Sequence, residues 1–200
     1  MIDASALSLN PRFTPLVESS TQDLLAPPQG EKFLRFVAGD LEKGQVLLLP
    51  ALEVMEVVIV TTTAILPVPQ LPAYVLGVYQ WRGKSIWTVD LGQLLGLAPL
   101  AWPLSPTEKG SSYGYGVGQG SGHFVLVLEL GNALMGLAVS QVEDIVSYDL
   151  GRMQPPEQHL LTNNLRAFTK GVFSQPNHEI HLLLNSEYLL HSEIYVRVAA

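Results

Sequence analysis

Leu47-Leu-Leu-Pro-Ala-Leu-Glu-Val-Met-Glu-Val-Val58 lies residue for residue over Met135-Gly-Leu-Ala-Val-Ser-Gln-Val-Glu-Asp-Ile-Val146 at a constant offset of 88. The correspondence continues along the chain. Gly77-Val-Tyr79 lies over Gly171-Val-Phe173 and Ile86 over Ile180, both at an offset of 94, and Leu94-Leu95 lies over Leu189-Leu190 at 95. Each half therefore runs strand, acidic-ended strand, loop, Gly-Val-aromatic strand, hairpin, apolar strand and short helix. A chance apolar match would not hold register across so many elements, so the order and offset indicate a duplicated unit of about 90 residues.

Working outward, short β-branched and leucine-rich runs are split by turn residues. Strands are expected at Phe33–Val37, Gln45–Leu49, Val54–Val60, Val75–Trp81, Ser85–Val89, Phe124–Leu130, Ala133–Val139, Ile145–Tyr148, Lys170–Phe173 and Glu179–Leu184. Helical patterns stand out only at Leu91–Leu95 and Ser186–Leu190. Many short, closely spaced strands indicate an all-β protein with short helices, built as two small β-barrels of one architecture. Residues 1–30, with Pro11, Pro15, Pro27 and Pro28, read as a loosely ordered extension. The first lobe is expected over 31–97 and the second, ending in a short helix, over 123–192, with a tail at 193–200. Between them the Pro/Gly/Ser composition of 98–122 reads as a flexible excursion.

Composition narrows the function. Only 14% of the 200 residues are charged and 48% are hydrophobic, against about 25% charged in an average soluble chain. A net charge of −7 leaves no basic footprint for a phosphate backbone, so a nucleic-acid partner is not expected. With no cysteine, disulfides, thiolate metal sites and thiol nucleophiles are excluded. The longest uncharged stretch, Val57 to Trp81, is long enough to cross a bilayer, but Pro67, Pro69 and Pro72 would break a spanning helix. Nor does the N-terminus carry a basic region ahead of an apolar core. The expectation is a cytoplasmic protein without membrane insertion. Two small barrels expose much surface relative to volume, so part of the apolar excess is expected to be displayed for partners.

Catalytic signals are weak. Gly77-Val-Tyr-Gln-Trp-Arg-Gly83-Lys84-Ser85 approaches a phosphate-binding loop, yet five residues separate the glycines instead of four and a strand pattern follows. A β-hairpin turning at Gly83 is the better reading. His178 and His181 are three apart, which in a strand sends them to opposite faces without a third ligand, so no metal or other cofactor is expected. Pairing Glu56 with Asp90 and a histidine would give a small-molecule-binding or hydrolytic barrel, the rival reading, although no spacing fixes that geometry. The placement of charge is more distinctive. Between Gly44 and Thr107 the only cations are Arg82 and Lys84 and the only anions Glu53, Glu56 and Asp90. Arg82, beside Trp81, either displays its guanidinium to a partner or clamps Glu56 or Asp90 internally.

These residues resemble the chemotaxis coupling protein family, CheW. Its motifs run in order as Val54-Met55-Glu56-Val57, Pro69-Gln-Leu-Pro72-Ala-Tyr74-Val75-Leu-Gly77-Val78, Gln80-Trp81-Arg82-Gly83 and Trp87-Thr88-Val89-Asp90-Leu91. The second half adds Gly136-Leu-Ala-Val139-Ser-Gln-Val142-Glu-Asp144-Ile145-Val146 and Lys170-Gly171-Val172, for coverage of about 31–192. The resemblance implies two five-stranded SH3-like barrels. It also implies a non-enzymatic adaptor joining the cytoplasmic tips of methyl-accepting receptors to the regulatory domain of a CheA-type histidine kinase, in membrane-associated arrays. Glu56, Gly77 and Arg82 fall on family positions associated with partner contacts, and the expected partner-binding set is Val54, Glu56, Gly77, Trp81, Arg82 and Asp90. Three departures bear on partner identity: Gln80 for the usual asparagine, Trp87-Thr88 for Pro-Val, and Gly92 where an arginine often stands. Trp81, Trp87 and Asp90-Leu-Gly resemble cyanobacterial-type members, in which related systems govern phototaxis and type IV pilus motility.

Overall fold

The computed structural model describes residues 30–40, 44–100, 122–131, 133–156 and 161–191. All but Gly30 of the expected N-terminal extension, most of the Pro/Gly-rich stretch and the tail lie outside the described residues. Eleven strands follow in chain order: β1 (Glu31–Ala38), β2 (Gln45–Pro50), β3 (Val54–Thr61), β4 (Ile65–Leu66), β5 (Val75–Trp81), β6 (Lys84–Asp90), β7 (Gly122–Leu130), β8 (Ala133–Val139), β9 (Gln141–Tyr148), β10 (Thr169–Ser174) and β11 (Ile180–Leu184). Three short helices, α1 (Leu91–Leu94), α2 (Asn163–Ala167) and α3 (Ser186–His191), complete the order. The all-β class stands.

One sheet has the order β10-β11-β2-β1-β9 and the other β3-β7-β8-β6-β5-β4. This corrects the expected division of the chain. Residues 31–97 do not build one lobe and 123–192 the other, because β1 and β2 pair with the last three strands while β3 to β6 pair with β7 and β8. The exchange is made by two parallel pairings, Leu47 opposite Leu182 and Trp87 opposite Met135. Those two pairs correspond under the repeat to within one residue, since 47 maps to 135 at 88 and 87 maps to 181 at 94, next to Leu182. Duplication is therefore real in the register as well as in the sequence. Corresponding bulges interrupt β3 between Val54 and Glu56 and β9 opposite Leu34 and Phe36, and interrupt β5 between Val75 and Gly77 and β10 between Thr169 and Gly171. A bulge adds local twist, which curls each sheet toward closure.

Burial follows the two-residue period of the strands. On β7, Val125 and Val127 face clusters holding Val60, Ile65, Trp81 and Ile86, while Leu126 and Leu128 face the central core. That central core draws Phe36 and Leu47 from one sheet and Val89, Leu126 and Leu137 from the other, so it glues the sheets together. Strands buried on both faces, such as β7 and β8, read as unbroken apolar runs, which accounts for much of the low charge. Not all of the excess is inside: Leu52, Met55, Val57, Ile59, Leu66 and Ile145 are exposed. Met55, Val57 and Ile59 alternate along one face of the edge strand β3.

Candidate functional site

The motif mistaken most easily for a phosphate loop is a tight hairpin. Trp81 pairs with Lys84, and the two residues between them both have positive φ, 48° at Arg82 and 78° at Gly83. That is the signature of a type I′ turn, whose twist matches the strands it joins. Glycine suits the position and arginine does not: a side chain in the left-handed region costs about 1 kcal/mol. At the turn, Trp81 is nearly buried against Ile86, Val127 and Val58. Its Nε1–H donates to Glu56 Oε2 at 2.7 Å. The same carboxylate oxygen receives Arg82 Nη2 at 3.0 Å, and the guanidinium carbon lies 5.1 Å from the Trp81 ring centroid. Yet the Arg82 side chain remains 68% exposed. Display and clamp are combined in this geometry, with Glu56 as the counter-ion.

The other expected site residues stand apart from this group. Asp90 ends β6, whose seven residues from Lys84 span about 20 Å. It is buried, with Oδ1 capping α1 by accepting from the Gln93 amide (3.1 Å) and Oδ2 accepting from the Leu100 amide (2.7 Å). Burial raises its pKa, and the backbone amides of Gln93, Leu100 and Gly92 offset only part of that rise. An Asp90 so committed, at the opposite end of the strand from Glu56, cannot share a pocket with it, so the rival hydrolytic arrangement is not built. Gly77 sits in the β5 bulge at φ 138°, where a Cβ would run into the Leu66 carbonyl; it lets β4 close on β5. Val54 is half-buried against the central core. Of the family departures, Gly92 has a plain steric reason, since a Cβ there would meet the backbone of Ala98 and Gly39. Gln80 donates across the hairpin to Ser85 Oγ at 2.6 Å.

In the other sheet, Asp144 occupies the repeat position of Glu56, and its partner differs. Arg35 Nε lies 2.6 Å from Glu143 and 2.9 Å from Asp144. Sequence reasoning missed Arg35, because only the β1–β9 pairing brings it to these acids. It also missed a polar pair in which the buried His181 has Nδ1 2.6 Å from the hydroxyl of the half-buried Tyr148. His178 is not in a strand with His181 but in the preceding turn, at φ 65°. Among the described residues no group of three or more His, Asp or Glu could hold a metal, and no helix is long and apolar enough to cross a membrane.

Residues 32–193 match the family model for the CheW-like domain. The chain belongs to the CheW-like family. A curated relative, the chemotaxis protein CheW of Rhizobium meliloti (strain 1021), is 29% identical over 108 residues, 54% of this chain and 58% of that protein. The chain thus spans a little over half the length of that relative. The crystal structure of the scaffolding protein TtCheW from Thermoanaerobacter tengcongensis superposes with a TM-score of 0.60 at 21% identity, covering 83% of this chain and 91% of that one. That likeness supports the paired SH3-like barrels. CheW-like proteins are non-enzymatic scaffolds, so the expectation of an adaptor in chemotaxis-type signalling, without catalysis, rests on membership in the family.

Proposed function

We propose that this CheW-like chain couples the cytoplasmic tips of methyl-accepting receptors to the regulatory domain of a CheA-type histidine kinase, within membrane-associated arrays serving chemotaxis, phototaxis or pilus motility. The observation that carries the reading is the hairpin arginine, exposed at 68% although it is ion-paired to Glu56 and seated over Trp81. A guanidinium held outward from a strained turn is an expensive ornament for a fold and a useful recognition element for a docking protein. Around it, exposed apolar residues on β3 supply area, while the sparse charges supply register.

The test is calorimetry with the kinase regulatory domain and the receptor signalling tip from the same genome. Saturable binding to both is expected, and Arg82→Glu should weaken one partnership by tenfold or more while leaving the fold intact. Binding to only one would mark a degenerate adaptor, and binding to neither would overturn the coupling role.

A further inference from the structure

Trp81 is 7% exposed, so it offers a partner almost no surface of its own. Its ring is wedged among Ile86, Val127 and Val58, which fixes the direction of the indole N–H. That N–H is spent on the Glu56 oxygen that also receives Arg82. A solvent-exposed ion pair ordinarily loses most of its attraction to the entropy of two mobile side chains. Here one partner, Glu56, is tied to a buried donor, and the other begins from a turn whose backbone is fixed by the hairpin. The duplicated half provides an internal contrast. The offset that places Gly77 on Gly171 puts Gln175 and Pro176 where Trp81 and Arg82 stand, and there the matching acid, Asp144, is met by Arg35 from the neighbouring strand. Among the described residues, only one of the two sheets has an indole, a carboxylate and a displayed guanidinium in line.

We propose that Trp81 is a positioning residue for docking: its indole N–H locks the Glu56 carboxylate, and the locked carboxylate with the ring face holds Arg82 outward to receive a carboxylate of the partner. One guanidinium nitrogen is used by Glu56, and the remaining donors of the planar fork suit a bidentate acid. This deepens the docking reading above and rests on it.

The test uses the full chain with two changes at one position. Trp81→Phe keeps an aromatic ring beneath the guanidinium but removes the N–H, and benzothienylalanine incorporated at position 81 keeps the full indole shape without it. The second change decides the matter if phenylalanine packs poorly. Without any partner, ¹⁵N relaxation of the Arg82 Nε–H should report an ordered side chain in the wild type and order parameters below about 0.6 in both variants. An Arg82 equally ordered in the variants and the wild type overturns the proposal. With the receptor tip as ligand, either change should raise Kd about five- to tenfold in the wild-type background and leave it unmoved in Arg82→Ala. Equal losses in both backgrounds overturn it too, because Trp81 would then act independently of Arg82. If the wild-type chain binds no partner at all, the docking reading fails while the relaxation measurement still decides whether Trp81 positions Arg82.

Discussion

His181 is an imidazole in a place made for a neutral ring. It is 2% exposed on β11, with Nδ1 against the Tyr148 hydroxyl, and Tyr148 in turn stacks on Phe173 at 4.5 Å. Burial lowers its pKa first and the Arg35 charge lowers it further, while Glu179, 3.7 Å from Nε2, and Glu143 oppose them. The folded-state pKa therefore lies below the unfolded value of about 6.5. As pH falls through that value the unfolded chain takes up the proton first, so the stability is fully present above it and is lost below. The thermal midpoint should accordingly fall between about pH 7.5 and 5.5. His181→Gln, which keeps an acceptor for Tyr148 but cannot titrate there, should start lower and decline less steeply. His123, also lowered by burial, acts with the same sign, so the slope should flatten without vanishing. An unchanged slope would place the proton uptake elsewhere.

The hairpin of β5 and β6 shows how an element can be tuned against its own stability. Asparagine is the residue that a type I′ turn prefers where Arg82 stands. In Arg82→Asn, relief of the left-handed backbone and loss of the exposed ion pair with its ring contact are opposing terms of about 0.5–1 kcal/mol each. The midpoint in thermal denaturation should therefore move by no more than about 2–4 °C, while partner affinity falls tenfold or more. A large loss of stability would mean that Arg82 serves mainly to hold the hairpin together. At this scale much was legible beforehand. β5 and β8 have the expected bounds, and the turn at Gly83 follows from spacing alone. What escaped has physical causes. The first half of β9 was missed because Glu143 and Asp144 interrupt its apolar pattern, and their partner Arg35 comes from a strand about a hundred residues earlier. Asp90 was grouped with Glu56 because both are rare anions in an apolar stretch. Sequence could not tell a helix cap accepting two amides from a carboxylate free to meet a partner. The two-residue β4 exists only because Gly77 lets it approach β5.

For the whole molecule, the repeat announces two similar halves but not which strands they share. Local pattern fixes each strand and its hairpin neighbour, and it is silent on the parallel pairings β2–β11 and β6–β8, which join residues far apart in sequence. Those pairings make the two halves of the chain mutually dependent. Cut between residues 100 and 122, the N-terminal fragment would hold β1 and β2 without β9, β10 and β11, and β3 to β6 without β7 and β8. The C-terminal fragment would have the complementary gaps. Each would expose strand edges and half of a core to which both sheets contribute, including Phe36, Leu47, Leu126, Leu137 and Leu182. Neither fragment alone should show cooperative unfolding. Expressed together they should assemble into a one-to-one complex with a single transition, because every missing neighbour of one is carried by the other. The entropy of bringing two chains together makes that transition concentration-dependent and lower than in the intact protein. A fragment that folds by itself, giving dispersed amide resonances and its own melting transition, would show that the halves are separable after all. Two independent lobes predict that outcome, and exchanged strands forbid it.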